Sequence, residues 1–121
     1  MAIAVGELEA AAAARFESLD QLPILSVLTV VELQGGIAAA TTERLKRERL
    51  LARLTTALPI LSFGERQAEA YGRIVDLIGF SRTKVIDRLI AAQAISAGAV
   101  LATLNPRDFR DVPGLAVEDW S

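Results

Sequence analysis

The sequence alternates short, mainly apolar runs with longer stretches in which apolar residues recur at helical spacing. The short runs predict strands, the last of them weak, over residues 24–29, 58–63, 99–104 and 115–120. The longer stretches predict helices over residues 6–19, 29–40, 41–58, 64–79 and 83–98. Buried strands between helices are typical of a parallel sheet covered on both faces. The pattern therefore predicts a single α/β domain over residues 1–121, a three-layer fold with a short, mainly parallel sheet flanked by helices.

Local signals refine the helix predictions. The leucines of residues 41–58 form one stripe opposite charged positions, which predicts an amphipathic helix that opens near a good N-cap candidate. Gly35 and Gly36 interrupt the helical spacing of residues 29–40. Gly98 occupies the place that a C-cap glycine prefers, so we expect a helix to end there.

The composition limits the chemistry open to the chain. Hydrophobic residues make up 52%, charged residues 23%, and the formal net charge is -2, which is typical of a compact fold and allows only a local nucleic-acid site. The absence of cysteine and histidine excludes disulfides, thiolate catalysis, Cys/His zinc sites and Ser-His-Asp triads. No apolar run is long enough to span a membrane, and the first residues lack the basic start of a signal peptide. We therefore expect a cytoplasmic protein with no membrane partner.

Three acidic residues fall where an α/β fold binds ligands, outside the carboxyl ends of its strands. Glu32 and Asp108 each come shortly after a predicted strand, and Asp87 opens a predicted helix. Small residues on the same helix face, such as Ala91 and Ala94, leave room beside Asp87. Clustered carboxylates raise one another's pKa values unless a cation neutralises them, and their hard oxygens suit Mg²⁺ or Mn²⁺.

Each acid taken alone also has a structural interpretation, which is the stronger one for any single residue. Asp87 could complement the helix dipole. Asp108 could lie in the first turn of a short helix capped by Asn105, and Glu32 could be a solvated helix residue. The case for chemistry depends on the three acids lying together.

Other charged segments carry weaker signals. The basic run at residues 44–49 is either the solvated face of a helix or an RNA or partner contact. Arg82 and Lys84, just before the helix of Asp87, are either ordinary surface charges or groups that hold phosphates. The sequence has no glycine-rich phosphate loop, so a nucleotide-binding module has no support.

Four sequence blocks resemble those of a known family in their order and spacing. They are "SVLTVVELQGG" from residue 26, "AEAYGRI" from residue 68, "IDRLIAAQA" from residue 86 and "TLNPRDF…VPGLAVEDW" from residue 103. They resemble the PIN-domain ribonucleases, especially the toxins of VapBC-type toxin–antitoxin pairs, over residues 24–120. The resemblance implies an α/β fold with an acidic pocket, a metal-dependent endoribonuclease activity that uses Mg²⁺ or Mn²⁺, an RNA substrate, a cognate antitoxin and a homodimer.

The resemblance also assigns roles to individual residues. It implies that Glu32, Asp87 and Asp108 are catalytic metal ligands. Asn105 would orient ligands or substrate. The hydroxyl groups of Ser26 and Thr103 would support the ligands from behind. For an endoribonuclease we also expect the nearby Arg82 to stabilise transition-state charge.

One departure from the family pattern bears on activity. The family begins with a strand, central in the sheet, that ends in an Asp-Thr-Asn-like turn whose aspartate is a metal ligand, and this sequence has no such segment. We expect that Met1 is an internal or misassigned start, that the sheet lacks its central strand, and that the missing aspartate weakens metal binding or abolishes cleavage. Substitution of Glu7 or Glu9 for that ligand is a less favoured alternative.

A second function remains open on the sequence alone. The chain could be a non-catalytic PIN-like protein that binds an antitoxin helix or self-associates through the leucine-rich segment 41–58. Metal-dependent cleavage, lost when Asp87 is replaced, would distinguish the enzyme from this alternative.

Overall fold

The fold is built on a five-stranded sheet in which every pair of neighbouring strands is parallel. The computed structural model of the protein describes residues 2–3 and 23–120. The strands are β1 (Ala2–Ile3), β2 (Ile24–Ser26), β3 (Ile60–Leu61), β4 (Leu101–Thr103) and β5 (Val117–Asp119). Their order across the sheet is β3-β2-β1-β4-β5. The carboxyl ends of all five strands therefore lie along one edge.

Four α-helices connect the strands in the part of the chain that is described. They are α1 (Val27–Ala39), α2 (Arg44–Ala57), α3 (Glu65–Ile78) and α4 (Val85–Ala97). Two short 3₁₀ turns, Arg82–Lys84 and Pro106–Phe109, precede α4 and follow β4. The helix predicted over residues 6–19, together with Glu7 and Glu9, lies outside the described residues.

The expectation of a sheet without a central strand is wrong. Ala2–Ile3 occupy the centre, where Ile3 is in register with Leu25 on one side and with Ala102 on the other. Strand pairing uses backbone N–H and C=O groups, so a segment of two residues can fill this place without an Asp-Thr-Asn-like turn after it. The chain's own backbone thus joins β2 to β4, although β1 itself carries no acidic residue.

Two apolar clusters cover the two faces of the sheet, which confirms the layered arrangement. Successive strand residues point to opposite faces, and in β4 Leu101 belongs to one cluster whereas Ala102 belongs to the other. The Leu101 cluster contains residues of α3, α4 and the segment after β4: Ala70, Ile74, Ile90, Ala91, Ala92, Ala94, Phe109 and Val112. The Ala102 cluster contains Leu25, Leu54, Leu58 and Trp120.

The leucine stripe predicted over residues 41–58 packs mainly inside the protein. Leu51, Leu54 and Leu58 are buried, whereas Leu45 is 59% exposed. The apolar face of α2 is therefore largely used in this chain's own core, which leaves little of it for self-association.

Element boundaries differ from the predictions where local hydrogen bonds decide them. The strand predicted over residues 24–29 ends at Ser26, because the Ser26 hydroxyl accepts a hydrogen bond from the Leu28 N–H and caps α1. Helix α1 continues through Gly35 and Gly36 to Ala39, since packing outweighs the low helix propensity of glycine. Gly98 adopts the left-handed conformation at the end of α4, as predicted.

No helix within residues 23–120 combines the length and the apolar character needed to cross a bilayer.

Candidate active site

A cavity of about 170 Å³ lies beside the carboxyl end of β4. It is lined by Glu32, Asp87, Ile90, Thr103, Asn105, Asp108 and Phe109. The three acids singled out in the sequence come from α1, α4 and the turn after β4, so their meeting is a product of the fold. The structure therefore brings all three of them to one cavity, together with Thr103 and Asn105.

Glu32 and Asp87 reach the cavity from two helices. Glu32 lies on α1, whose start is fixed by the Ser26 cap, and Asp87 lies in the first turn of α4. Ile90, one turn further along α4, forms part of the cavity wall. Ala91 and Ala94 do not open space beside Asp87 as expected, because both are fully buried in the core.

Asp108 and Asn105 belong to the short segment after β4. The Thr103 hydroxyl accepts a hydrogen bond from the Asn105 N–H at 3.0 Å, and the Asn105 carbonyl accepts one from the Asp108 N–H at 3.1 Å. These bonds fold the turn tightly against the strand end. Asp108 lies in the first turn of the short 3₁₀ helix with Asn105 at its N-cap position, as the structural interpretation expects, but the Asn105 side chain makes no capping hydrogen bond. Asn105 lines the cavity instead.

Burial, and after it neighbouring negative charge, raises the pKa values of two acids of the cavity, Asp87 and Glu32. Burial is the main cause of the raised pKa of Asp87, and the negative charges of Asp108 and Asp111 add to it, while Lys84 partly offsets them. Burial, and then the charge of Asp87, raises the pKa of Glu32. A carboxylate that served mainly to complement the helix dipole would have a lowered pKa, so the electrostatics of Asp87 argue against that interpretation.

The donor set of the cavity fits a divalent cation that keeps part of its water shell. Carboxylate oxygens and an amide oxygen are the ligands that Mg²⁺ and Mn²⁺ prefer, and a cation would relieve the repulsion that raises the pKa values of Asp87 and Glu32. Among residues 23–120, no three acidic side chains converge closely enough to enclose a metal ion. Because Mg²⁺ commonly retains several waters and uses one or two carboxylates, this open arrangement fits it better than a closed cage would.

A cationic cluster lies next to the acids. The Asp111 carboxylate accepts hydrogen bonds from Lys84 Nζ at 3.2 Å and from Arg88 Nη2 at 3.1 Å. Arg88 is buried, and its Nη1 also donates to the Gly79 carbonyl at 2.7 Å. Burial acts to raise the pKa of Asp111, but the hydrogen bonds from Lys84 and Arg88 outweigh it, so the pKa is lowered. The cluster ties the start of α4 to the segments before and after it.

Replacing Asp111 by asparagine is expected to lower the free energy of unfolding by about 1 kcal/mol near neutral pH, because buried Arg88 loses its ionised partner. Asp111 is 39% exposed, and solvent screening limits the loss. Since its folded-state pKa is lowered, its contribution is present above the ordinary value of 3.8 and disappears as the pH falls through the folded-state value. Urea unfolding of the wild type and of Asp111→Asn across this range measures the difference. A difference that stays constant into strong acid would contradict the assignment.

Two other predicted site residues lie away from the cavity wall. Arg82 is exposed in the 3₁₀ turn before α4 and does not line the cavity, whereas Lys84 of the same turn acts electrostatically on Asp87. Ser26 is fully buried at the start of α1, where it hydrogen-bonds Gln93 of α4.

Several residues of the site region were missed in the sequence. Phe109 forms a wall of the cavity, and Asp111, paired with Arg88, acts electrostatically on Asp87. Gln93 is fully buried in α4. A signal for Gln93 was available, because a lone amide inside the apolar "LIAAQAI" stretch must find buried hydrogen-bond partners if its helix face is buried.

Comparison with known sequences places the chain in a family. A PIN-domain family profile matches residues 2–115. The chain is 33% identical over 97 residues to ribonuclease VapC1 of Rickettsia felis, covering 77% of this chain and 72% of the relative. It is also 33% identical over 111 residues to the tRNA(fMet)-specific endonuclease VapC of Salmonella typhimurium, covering 88% of this chain and 81% of the relative.

Solved structures show the same fold. The VapBC2 structure from Rickettsia felis, bound to a promoter DNA fragment, matches with a TM-score of 0.80 at 23% identity, covering 100% of both chains. The DNA-bound VapBC structure from Salmonella typhimurium matches with a TM-score of 0.77 at 24% identity, covering 93% of this chain and 86% of the other. Since the family profile spans nearly the whole sequence and the VapC relatives are 33% identical over most of their length, the chain belongs to the PIN-domain family.

Proposed function

We propose that the protein is a divalent-cation-dependent endoribonuclease, the toxin of a VapBC-type toxin–antitoxin pair. The observation that carries the proposal is the meeting of Glu32, Asp87 and Asp108, from three separate elements, in one cavity at the carboxyl edge of the sheet. The names of the VapC relatives, a ribonuclease and a tRNA-specific endonuclease, support RNA as the substrate.

In this proposal Glu32, Asp87 and Asp108 hold Mg²⁺ or Mn²⁺, and Asn105 adds an amide oxygen or orients the substrate. When bound, the ion supplies positive charge that stabilises the transition state of phosphodiester hydrolysis and promotes ionisation of the attacking water. Thr103 holds the Asn105 backbone in place through its hydroxyl. Ile90 and Phe109 give the cavity its apolar wall.

The cations beside the acids attract the RNA backbone. Lys84 lies close enough to Asp87 to affect its pKa, so its ammonium group can also attract a phosphate that approaches the cavity. Arg82, exposed in the same turn, is placed to contact a more distant phosphate or to stabilise transition-state charge. Such contacts position the backbone and carry no sequence information.

The proposal includes a protein partner and a second copy of the chain. The matched solved structures are VapBC assemblies, and a further match is a toxin–antitoxin complex from Klebsiella pneumoniae. These support a cognate antitoxin for this chain. The homodimer rests on the family resemblance, and sedimentation equilibrium of the free protein checks it.

One observation favours the non-catalytic alternative. The central strand β1 carries no acidic residue, and the acids of residues 23–120 do not enclose a metal by themselves. A protein with this site could keep the fold and the antitoxin interface while hydrolysing RNA poorly.

Cleavage of matched single-stranded RNA and DNA distinguishes the two functions. We expect the purified chain to cleave the RNA with Mg²⁺ or Mn²⁺, to leave the DNA intact and to lose activity with EDTA. Asp108→Asn should reduce the rate by at least about 100-fold. Glu118→Gln, which removes an exposed acid on β5, should not change it.

A folded chain that cleaves no RNA with either ion would overturn the proposal in favour of the interaction protein. Cleavage that survives EDTA, or that Asp108→Asn leaves unchanged, would show that the activity comes from elsewhere.

A further inference from the structure

We propose that Gln93 is a positioning residue, whose buried amide fixes the two helices carrying Glu32 and Asp87 relative to each other. The expected effect of Gln93 on catalysis rests on the proposed function. Its expected effect on the relative orientation of α1 and α4 in the cation-free protein does not.

The Gln93 side chain connects three elements. Its Oε1 accepts a short hydrogen bond from the Ser26 hydroxyl, at the junction of β2 and α1. Its Nε2 donates to the carbonyls of Leu61 at 2.9 Å and Ser62 at 3.2 Å, where β3 ends. The Ser26 hydroxyl also accepts from the Leu28 N–H at 3.1 Å. One amide therefore joins α4 to the start of α1 and to the end of β3.

The burial of Gln93 and Ser26 makes their hydrogen bond hard to replace. Gln93 and Ser26 are both fully buried, at 0% exposure, so water cannot replace the hydrogen bond between them. Loss of the amide would leave the buried Ser26 hydroxyl without its acceptor. Leu61 is half-buried and Ser62 is exposed, so the bond to Ser26 is the costlier one to lose.

The position of the contact explains why it matters for the acids. Gln93 is six residues after Asp87 on α4, and Ser26 is six residues before Glu32 at the start of α1. Each carboxylate is therefore roughly 9 Å along its helix from the contact, at about 1.5 Å per residue. A helix rotation of about 10° around the contact would displace a carboxylate by about 1.5 Å, enough to cost a site most of its activity.

Variants on both sides of the contact test the proposal. Gln93→Met keeps the length of the side chain and removes the amide. Ser26→Ala breaks the same contact with a minimal change in volume, and Ser26→Thr keeps the hydroxyl. Two variants serve as controls. Ser96→Ala removes a hydroxyl of α4 that donates to the Ala92 carbonyl. Leu54→Ala destabilises the Ala102 cluster.

The first readout is the relative orientation of α1 and α4 in the cation-free protein, from amide residual dipolar couplings well below the melting temperature. We expect Gln93→Met and Ser26→Ala to change the orientation or disorder it, and Ser26→Thr, Ser96→Ala and Leu54→Ala to preserve it. The second readout is Mn²⁺ affinity with single-turnover cleavage. We expect Gln93→Met to weaken Mn²⁺ binding about tenfold or more and to lower the maximal single-turnover rate, with the half-saturating concentration of enzyme little changed.

The outcomes separate this inference from the proposed function. Unchanged helix orientation in Gln93→Met and Ser26→Ala, or equal effects of Leu54→Ala, would show that Gln93 only stabilises the fold and would overturn the inference. If the wild type neither binds Mn²⁺ nor cleaves RNA while Gln93→Met still reorients the helices, the proposed function fails and the positioning role stands.

Discussion

Asp87→Asn is expected to abolish RNA cleavage and, at the same time, to raise the melting temperature by a few degrees near neutral pH. Asp87 has a raised pKa because of its burial and the neighbouring charges of Asp108 and Asp111. For such a group the stabilising contribution is present below the unfolded-state value of 3.8 and is lost as the pH rises through the folded-state value. At neutral pH the ionised carboxylate therefore destabilises the fold. Asparagine has nearly the same shape and no charge, so it removes that cost together with the proposed ligand.

The expected loss of cleavage is at least about 100-fold, the range found when an essential acid–base or charged group is removed. Thermal unfolding and single-turnover cleavage measure the two effects on the same samples. Asp76→Asn is the matched control, because it makes the same change in net charge at an exposed site on α3 and should alter neither quantity. A melting temperature that falls in Asp87→Asn would contradict the electrostatic explanation, even if cleavage were lost.

Mn²⁺ is expected to raise the melting temperature of the wild type strongly and that of Asp87→Asn little. A cation that binds only the folded state stabilises it by about 2.7 kcal/mol at roughly one hundred times its Kd, which for a domain of this size is on the order of 10 °C. The stabilisation arises because the ion neutralises the carboxylates whose repulsion destabilises the free site. Differential scanning calorimetry over a Mn²⁺ series, with EDTA as the reversal, measures it.

Na⁺ at equal ionic strength controls for general screening of the net charge of -2. A shift of equal size in wild type and Asp87→Asn would place the Mn²⁺ outside the cavity. The absence of any shift would show that the open arrangement of acids in residues 23–120 binds no divalent ion tightly.

Much of the fold could be predicted because it depends on patterns that are local. Strand Leu101–Thr103 is short and fully buried, and Gly98 ends a helix because it adopts the left-handed conformation. β1 could not be predicted, because two residues carry no periodicity and Ala2–Ile3 form a strand only by pairing with β2 and β4.

The sequence predicted those parts of the candidate site whose positions follow from the strand topology. In a parallel sheet the segments after β2 and β4 must emerge on one edge, which is why Glu32 and Asp108 could be expected together. The residues that support the site could not be predicted in the same way, because the sequence alone does not fix which face of a helix is buried. The lone amide of Gln93 in an apolar stretch is a signal only if that helix face is buried, and Asp111 lies in a loop where nothing in the sequence indicates its contact with Arg88.

In the proposed function, Glu32, Asp87 and Asp108 act as one cation site. A double-mutant cycle on Glu32→Gln and Asp108→Asn tests it most directly, with Mn²⁺ affinity and single-turnover RNA cleavage measured for both single variants and for the double variant. If the residues act as a unit, each single change should remove most of the affinity and activity, and the double variant should be little worse than either. Losses that multiply independently, or single variants that retain wild-type affinity and rate, would contradict a shared site.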